Sequence, residues 1–263
     1  MSTLGHVASD SATMLRRNLR HMLRYPSLTL MLLAMPIIFL LLFVYVLGGT
    51  LGAGLGGAAG GRADYVEYVT PGIILITVAS GATGTAISVA MDMTEGIVAR
   101  FRTMAISRTS VLTGHVVGSL IQTLLCVAAV LGVALLVGFR PSAGPVEWLG
   151  VAGLLGLLIL ALTWLSVALG MSARSVETAS NLPMPLTLLP FFGSGFVPTD
   201  SMPAGLGWFA EHQPFTPIIE TLRGLLTGAP IGDSAAVSVA WCVGITLVGY
   251  LWARRTYNRA SVR

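Results

Sequence analysis

Lysine is absent from this 263-residue chain, and all fifteen of its basic residues are arginine. A phosphate-cradling loop of the G-x-x-x-x-G-K-[ST] kind sets a lysine on the β- and γ-phosphates, so the chain has no standard loop of that kind. Charge of either sign is scarce. Charged residues make up 10% of the chain, against roughly 25% in an ordinary soluble domain, too few to cover a water-facing surface. Cysteine is nearly missing as well. Cys126 and Cys242 each lie in an apolar run without metal-ligand spacing, which reads as small core or lipid-facing residues. No H-E-x-x-H, C-x-x-C or G-x-S-x-G occurs, and the four histidines, at 6, 21, 115 and 212, are scattered. The chain therefore carries no catalytic constellation and no metal-ligand set, and it is not expected to be an enzyme on its own.

What remains is apolar: 54% of residues are hydrophobic and the mean hydropathy is +0.82. Charges are spaced so that six long uncharged stretches arise: Tyr25–Gly61, Tyr68–Met91, Thr109–Phe139, Trp148–Ala173, Thr178–Thr199 and Ser234–Ala253. About 20 apolar residues at 1.5 Å rise cross the hydrocarbon core. The reading is an all-α integral membrane protein with six transmembrane helices, at 28–48, 69–91, 112–137, 148–170, 180–197 and 234–253, in one transmembrane domain over 1–263. The first apolar run is longer than the core of a cleaved signal and contains Pro36, so it reads as a retained span. With six spans, Arg16, Arg17, Arg20, Arg24, Arg100, Arg102, Arg108, Arg174, Arg254, Arg255, Arg259 and Arg263 share one side. Only Arg62, Arg140 and Arg223 fall on the other. The positive-inside rule then places both termini in the cytoplasm.

The segments between the runs differ in kind. Within residues 1–27, Met14, Leu15, Leu19, Met22 and Leu23 share one side of a helical wheel, with Arg17, Arg20 and Arg24 opposite. That is the pattern of a helix lying in the membrane interface, closed by Pro26. The glycine-rich stretch after the first span formally contains G-x-G-x-x-G at 52–57. It lacks the strand before it and the βαβ setting that fingerprint requires, and reads as a flexible external loop. Residues 198–233 are broken by prolines yet stay apolar, with Trp208 and Phe209 of the headgroup-belt type. They are expected to form short re-entrant or interfacial helices on the outer face, one with Ile218, Ile219, Leu222, Leu225 and Leu226 on a single face.

One island of charge interrupts the oil. "MDMTEGIVARFRTMAIS", residues 91–107, holds Asp92, Glu95, Arg100 and Arg102, with Arg108 just beyond. From Glu95 onward, Ile97, Val98, Phe101, Met104 and Ala105 share a helical face. A short amphipathic cytoplasmic helix of this composition can rest on the membrane or seat its apolar face in a partner's groove. Both readings stay open on the residues alone. An ion-driven carrier needs ionisable groups deep within its spans. Here every carboxylate can lie at or beyond a span end, and His115, near the start of the third span, reads as interfacial. Energy for any transport is expected to come from another polypeptide.

At this point two stretches resemble a known family. "TEGIVARFRTMAISRTSVLTGHVV" is similar to the cytoplasmic coupling segment of bacterial ABC type-2 permeases. "LPFFGSGFVPTDSMPAGLGWFAEHQPFTPIIETLRGLLTG" resembles that family's second signature: a Leu-Pro-aromatic fifth span, a Phe-Val-Pro turn, and a Pro-x-Thr-Pro ahead of an Arg-Gly-Leu helix. Within the family the similarity points to the daunorubicin/doxorubicin-resistance group of drug-export permeases. Two departures stand out: Gln213-Pro214 where the group often has Asn-Pro, and Phe192-Gly193-Ser194-Gly195 before the Phe-Val-Pro turn.

The resemblance implies a multi-pass permease of the bacterial plasma membrane that binds no cofactor itself. Two copies would form a pathway for hydrophobic or amphipathic compounds, with two copies of a separate ABC ATPase subunit, holding ATP and magnesium, docked beneath. Glu95, Gly96, Arg100, Phe101, Arg102, Met104 and Ile106, in the segment 92–110, would then couple to the ATPase. Thr77, Ser80, Thr83, Thr85, Met184, Phe191 and Phe192 are candidate substrate-pathway residues, since hydroxyls, methionine and aromatics without charge suit such a compound. The small hydroxyl residues equally suit close helix packing. Expected partners are that ATPase, a second copy of the chain, membrane lipid and a hydrophobic small molecule; nucleic acid is not among them. The alternatives are export of a lipid or polysaccharide precursor by the same architecture, or a stand-alone secondary carrier.

Overall fold

The computed structural model describes residues 26–54, 61–94, 108–173 and 175–260, and among these every regular element is helical. Helix α1, Pro26–Leu41, runs without a break through a π-helical stretch, Leu42–Leu47, into α2, Gly48–Gly54. Its first residue is proline, whose missing N–H costs nothing at a helix start. Then come α3, Arg62–Thr94, α4, Arg108–Val137, and α5, Pro145–Ser172. The last long helix, α10, covers Ser234–Ala260. The interfacial helix expected within 1–27, with Arg17, Arg20 and Arg24, lies outside the described residues. So does the coupling run from Glu95 and Gly96 through Arg100, Phe101, Arg102, Met104 and Ile106.

Among the described residues, five helices are long and apolar enough to cross a membrane: Leu32–Ala53, Arg62–Thr94, Val116–Val137, Pro145–Ser172 and Ser234–Tyr257. They divide into inner and outer members. The most apolar windows of α3 and α5 are 67% and 61% buried, whereas those of the first, third and last spans are 22%, 28% and 17% buried. A helix apolar all round belongs in a core, and α3 is that core. Its residues Val69–Ala79 are all buried, and it touches α1, α4, α5 and the later helices Val176–Asn181, Met184–Leu188 and Phe215–Thr227. The outer helices turn Met35, Ile38, Leu42, Leu125, Leu136, Leu247, Val248 and Leu251 outward. In water so much exposed apolar surface would drive association; in lipid it is an ordinary surface.

The contact of α5 with α10 is the most extensive in the bundle. It is close because Gly249 carries no side chain. A Cβ placed there would lie 2.6 Å from the amide nitrogen of Leu165 and 2.8 Å from the carbonyl carbon of Trp164. Beside this crossing Trp164 meets Tyr250 edge to face at 5.0 Å. The second core cluster, Val89, Val116, Val167, Ala168, Met171, Ala253 and Tyr257, packs around it.

The stretch expected as one span at 180–197 is not a single helix. It is α6, Val176–Asn181, then α7, Met184–Leu188, then a 3₁₀ turn, Leu189–Phe192, ending in a turn through Gly193–Phe196. Pro183, Pro185 and Pro190 are the cause. Each removes a backbone donor, and its ring crowds the preceding turn of the helical ladder. Beyond it come a 3₁₀ turn, Thr199–Ser201, then α8, Ala204–His212, and α9, Phe215–Thr227. In α9, Ile218, Ile219, Leu222 and Leu226 are fully buried and Leu225 partly so, packed on α3, α5 and α10. Gly228, at φ +74°, ends α9 by returning its N–H to the Gly224 carbonyl.

Candidate functional site

Among the described residues, several buried polar groups meet at one end of the bundle, where α9, the start of α3 and the turn at Gly193–Phe196 come together. Backbone reaches backbone there: a Cβ on Gly72 of α3 would lie 2.8 Å from the Gly195 carbonyl oxygen. Two turns of α3 earlier, the Tyr65 hydroxyl donates to the Phe196 carbonyl at 3.3 Å. Arg223 of α9 completes the joint. Its Nη2 donates to the Ser194 carbonyl at 2.6 Å and to the Tyr68 carbonyl at 3.2 Å, and its guanidinium lies 3.9 Å from the centre of the Tyr68 ring. Burial pulls the Arg223 pKa below its ordinary value, and Tyr68 and Glu220 oppose that shift. The group stays charged, as arginine does. Among the described residues none of its hydrogen bonds goes to a carboxylate; Glu220, one turn earlier, accepts from Ser234 of α10 at 2.9 Å.

A second polar hub sits at the start of α9. Gln213 accepts from the Phe215 N–H at 3.0 Å and donates through Nε2 to the Thr216 hydroxyl at 3.0 Å. That hydroxyl passes its own proton to the Ala210 carbonyl at 2.5 Å and accepts from the Ser194 N–H at 3.4 Å. Gln213, Thr216 and Ser194 are all buried. Two of the first N–H groups of α9 would otherwise lack partners in an apolar setting, and the Gln213 side chain answers for one of them. Against the same turn lies a knot of rings. Phe191 stacks on Phe196 at 4.7 Å, Phe43 of the π-helical stretch lies 4.6 Å from Phe196, and Phe39 of α1 meets Phe191 edge on at 5.5 Å.

The residues singled out for a substrate pathway fall in three places. Thr77 and Thr85 are buried in α3, and Ser80 and Thr83 are half-buried there. Thr77 donates to Ile73 at 2.8 Å, Thr83 to Ala79 at 3.3 Å and Thr85 to Gly81 at 3.0 Å, each returning its proton to its own helix. Thr85 also meets the Ser119 hydroxyl of α4. Phe191 belongs to the ring knot, while Met184 and Phe192 are 56% and 45% exposed. The only one of these residues at the polar joint is Phe191, through its ring neighbour Phe196. Among the described residues no group of His, Cys, Asp and Glu is placed to hold a metal ion.

Arg223, Tyr68, Ser194 and Gln213 escaped the sequence reading as functional residues. Arg223 counted toward charge asymmetry and as part of the Arg-Gly-Leu signature, and Gln213 as a departure from Asn-Pro. A lone basic residue in the apolar run of α9 is the one local signal that could have drawn attention to the joint.

Residues 11–227 match the family model described as ABC-2 type transporter. The chain is similar to a protein described as a probable doxorubicin resistance ABC transporter permease, DrrC, of Mycobacterium tuberculosis. The two are 29% identical over 196 residues, which is 73% of this chain and 70% of that one. It is also similar to the daunorubicin resistance ABC transporter permease DrrB1 of Streptomyces coeruleorubidus, at 28% over 191 residues, 70% of this chain and 65% of that one.

Proposed function

The chain belongs to the ABC-2 type transporter family, and from that premise we propose that it is the membrane subunit of an ATP-driven exporter of hydrophobic or amphipathic, drug-like compounds. The observation that carries the reading is a pairing. Relatives named as doxorubicin and daunorubicin resistance permeases cover about 70% of the chain, and the sequence has no lysine with which to build a standard nucleotide loop. Energy then comes from a separate ABC ATPase, which keeps ATP and magnesium to itself. Two copies of this chain, each crossing the bacterial plasma membrane six times with both termini cytoplasmic, form the pathway over two ATPase copies. The broken stretch Val176–Phe192 makes the fifth crossing. Residues 198–233 then lie on the outer side, the interfacial helix within 1–27 on the inner side.

In this reading Glu95, Gly96, Arg100, Phe101, Arg102, Met104 and Ile106 form the helix that seats in the ATPase. Closure of the ATPase pair tilts the two permeases as rigid bodies. Met184 and Phe192, exposed and uncharged, meet the compound together with Ser80 and Thr83. The test is a pull-down of the tagged protein from gently solubilised native membranes, with partners identified by mass spectrometry. Recovery of an ATP-binding subunit, lost on alteration of residues 95–106, supports the reading; Glu95→Ala or Phe101→Ala then leaves the protein inserted but uncouples export from ATP. Recovery of the protein alone, still moving substrate in ATP-free vesicles under an ion gradient, would replace it with a secondary carrier.

A further inference from the structure

We propose that Arg223 is the latch of a gate at this end of the bundle, holding the turn at Gly193–Phe196 closed against α3 and α9. The inference deepens the export reading, which supplies the reason for the gate to open. Three elements far apart in sequence meet on one guanidinium: α9 through Arg223, α3 through the Tyr68 carbonyl and ring, and the turn through the Ser194 carbonyl. Both acceptors are main-chain atoms, so the grip depends on backbone position. A charge-assisted bond is stronger than a neutral one. α9 is the fixed post, since Ile218, Ile219, Leu222 and Leu226 anchor it in the core. Gly193, Ser194 and Gly195 bring no apolar side chain to the joint. Their hydrogen bonds to α9 are the Arg223 bond and the long Ser194 N–H contact with Thr216, beside the packing of Gly195 against Ile219.

The joint is also made to release. Buried polar atoms are nearly always hydrogen-bonded. Among the described residues three buried side-chain atoms have no partner, and two of them, Arg223 Nε and Ser194 Oγ, sit in this joint. The guanidinium is partly buried, against carbonyls and a ring, and among the described residues it makes no hydrogen bond to a carboxylate. Separation of the turn from α9 lets the cation and both orphaned atoms regain water or headgroup contacts, which offsets the bonds lost. Such a balance suits an element with two positions of similar free energy. A purely structural bond would have no use for it.

The experiment reads the turn directly. Ser194→Cys is introduced with Cys126→Ala and Cys242→Ala, and the purified protein in detergent is labelled with a maleimide. Arg223→Met in this background is expected to raise the labelling rate at position 194 roughly tenfold or more, the equivalent of one lost charge-assisted bond. Arg223→Lys, which keeps the charge but not the planar fork, falls between. The native Cys126, buried in α4, is the control in otherwise unsubstituted protein. Unchanged labelling at 194, or a parallel rise at Cys126 that marks general loosening, overturns the latch. Should Arg223→Met fail to fold, Tyr68→Leu removes the ring and keeps both carbonyls. A rise at 194 without a rise at Cys126 then supports the latch, and no rise overturns it. The measurement needs neither partner nor ATP, so its failure is separate from failure of the pull-down.

Discussion

Substitution of Gly249 by alanine tests the close crossing of α5 and α10, and the same helix supplies the control. Gly244 also lies on α10, but a Cβ there would meet nothing within 4 Å, whereas at Gly249 it would lie 2.6 Å from the Leu165 nitrogen and 3.0 Å from the Leu165 Cα. The atoms met at Gly249 are backbone and cannot rotate away, so the helices themselves must part. That movement disturbs the Trp164–Tyr250 contact and the cluster around Ala168, Ala253 and Tyr257. Either substitution replaces glycine by the better helix former, a gain of about 1 kcal/mol that is common to both. The difference between the two variants isolates the overpacking cost, about 1–3 kcal/mol. For a chain of this size about 1 kcal/mol moves the melting temperature by roughly 2–4 °C. Gly249→Ala is therefore expected to melt roughly 2–12 °C below Gly244→Ala. Both cysteines are free and buried, Cys242 fully, so a thiol-reactive fluorogenic dye reports unfolding in detergent without an added probe. A melting temperature for Gly249→Ala at or above that of Gly244→Ala would refute the close crossing.

Two further outcomes follow from the hydrogen bonds. Gln213→Ala strands the Phe215 N–H and removes a partner from Thr216, which costs about 1–3 kcal/mol; faster hydrogen exchange is expected across 213–216, with α5 unchanged, and Gln213→Glu, which keeps the acceptor, should protect Phe215 better than alanine does. Thr85→Val and Ser119→Ala, singly and together, should show a coupling of about 0.5–1.5 kcal/mol in a double-mutant cycle of thermal stability, since the two hydroxyls join α3 to α4; a coupling near zero would mean that they do not.

The long helices were legible because an uncharged run of about 20 residues has few other uses. The charged start of α3 was not. Arg62, Asp64 and Glu67 look like a span boundary, yet the helix runs through them from Arg62, with Asp64 in the first turn, where the helix dipole favours an acid. The run 180–197 has the composition of a span, and composition does not register where three prolines will fall against the backbone ladder. Leu182, Met184 and Leu188 are exposed on the resulting pieces. At the site, the hydroxyls of Thr77, Thr83 and Thr85 stood out as rare polar atoms in oil. A sequence cannot show that each is spent on the carbonyl four residues back. The joint had Arg223 as its one local signal, and nothing near it pointed to Tyr68, 155 residues away.

How the two ends of the bundle are held bears on which of them can move. Lipid tails are as apolar as leucine side chains, so in a membrane apolar contact alone discriminates little between a helix neighbour and lipid. What fixes α5 to α10 is close approach at Gly249, a fit of backbone on backbone that lipid cannot reproduce. The end around Gly193–Phe196 has one such approach, Gly72 to Gly195, and otherwise leans on the ring knot and on hydrogen bonds to main-chain carbonyls. Water or lipid headgroups can replace those bonds when the turn swings away, and they can replace nothing at the crossing of α5 and α10. On the proposed export reading, the broken, proline-rich stretch is where motion driven from the other end would emerge.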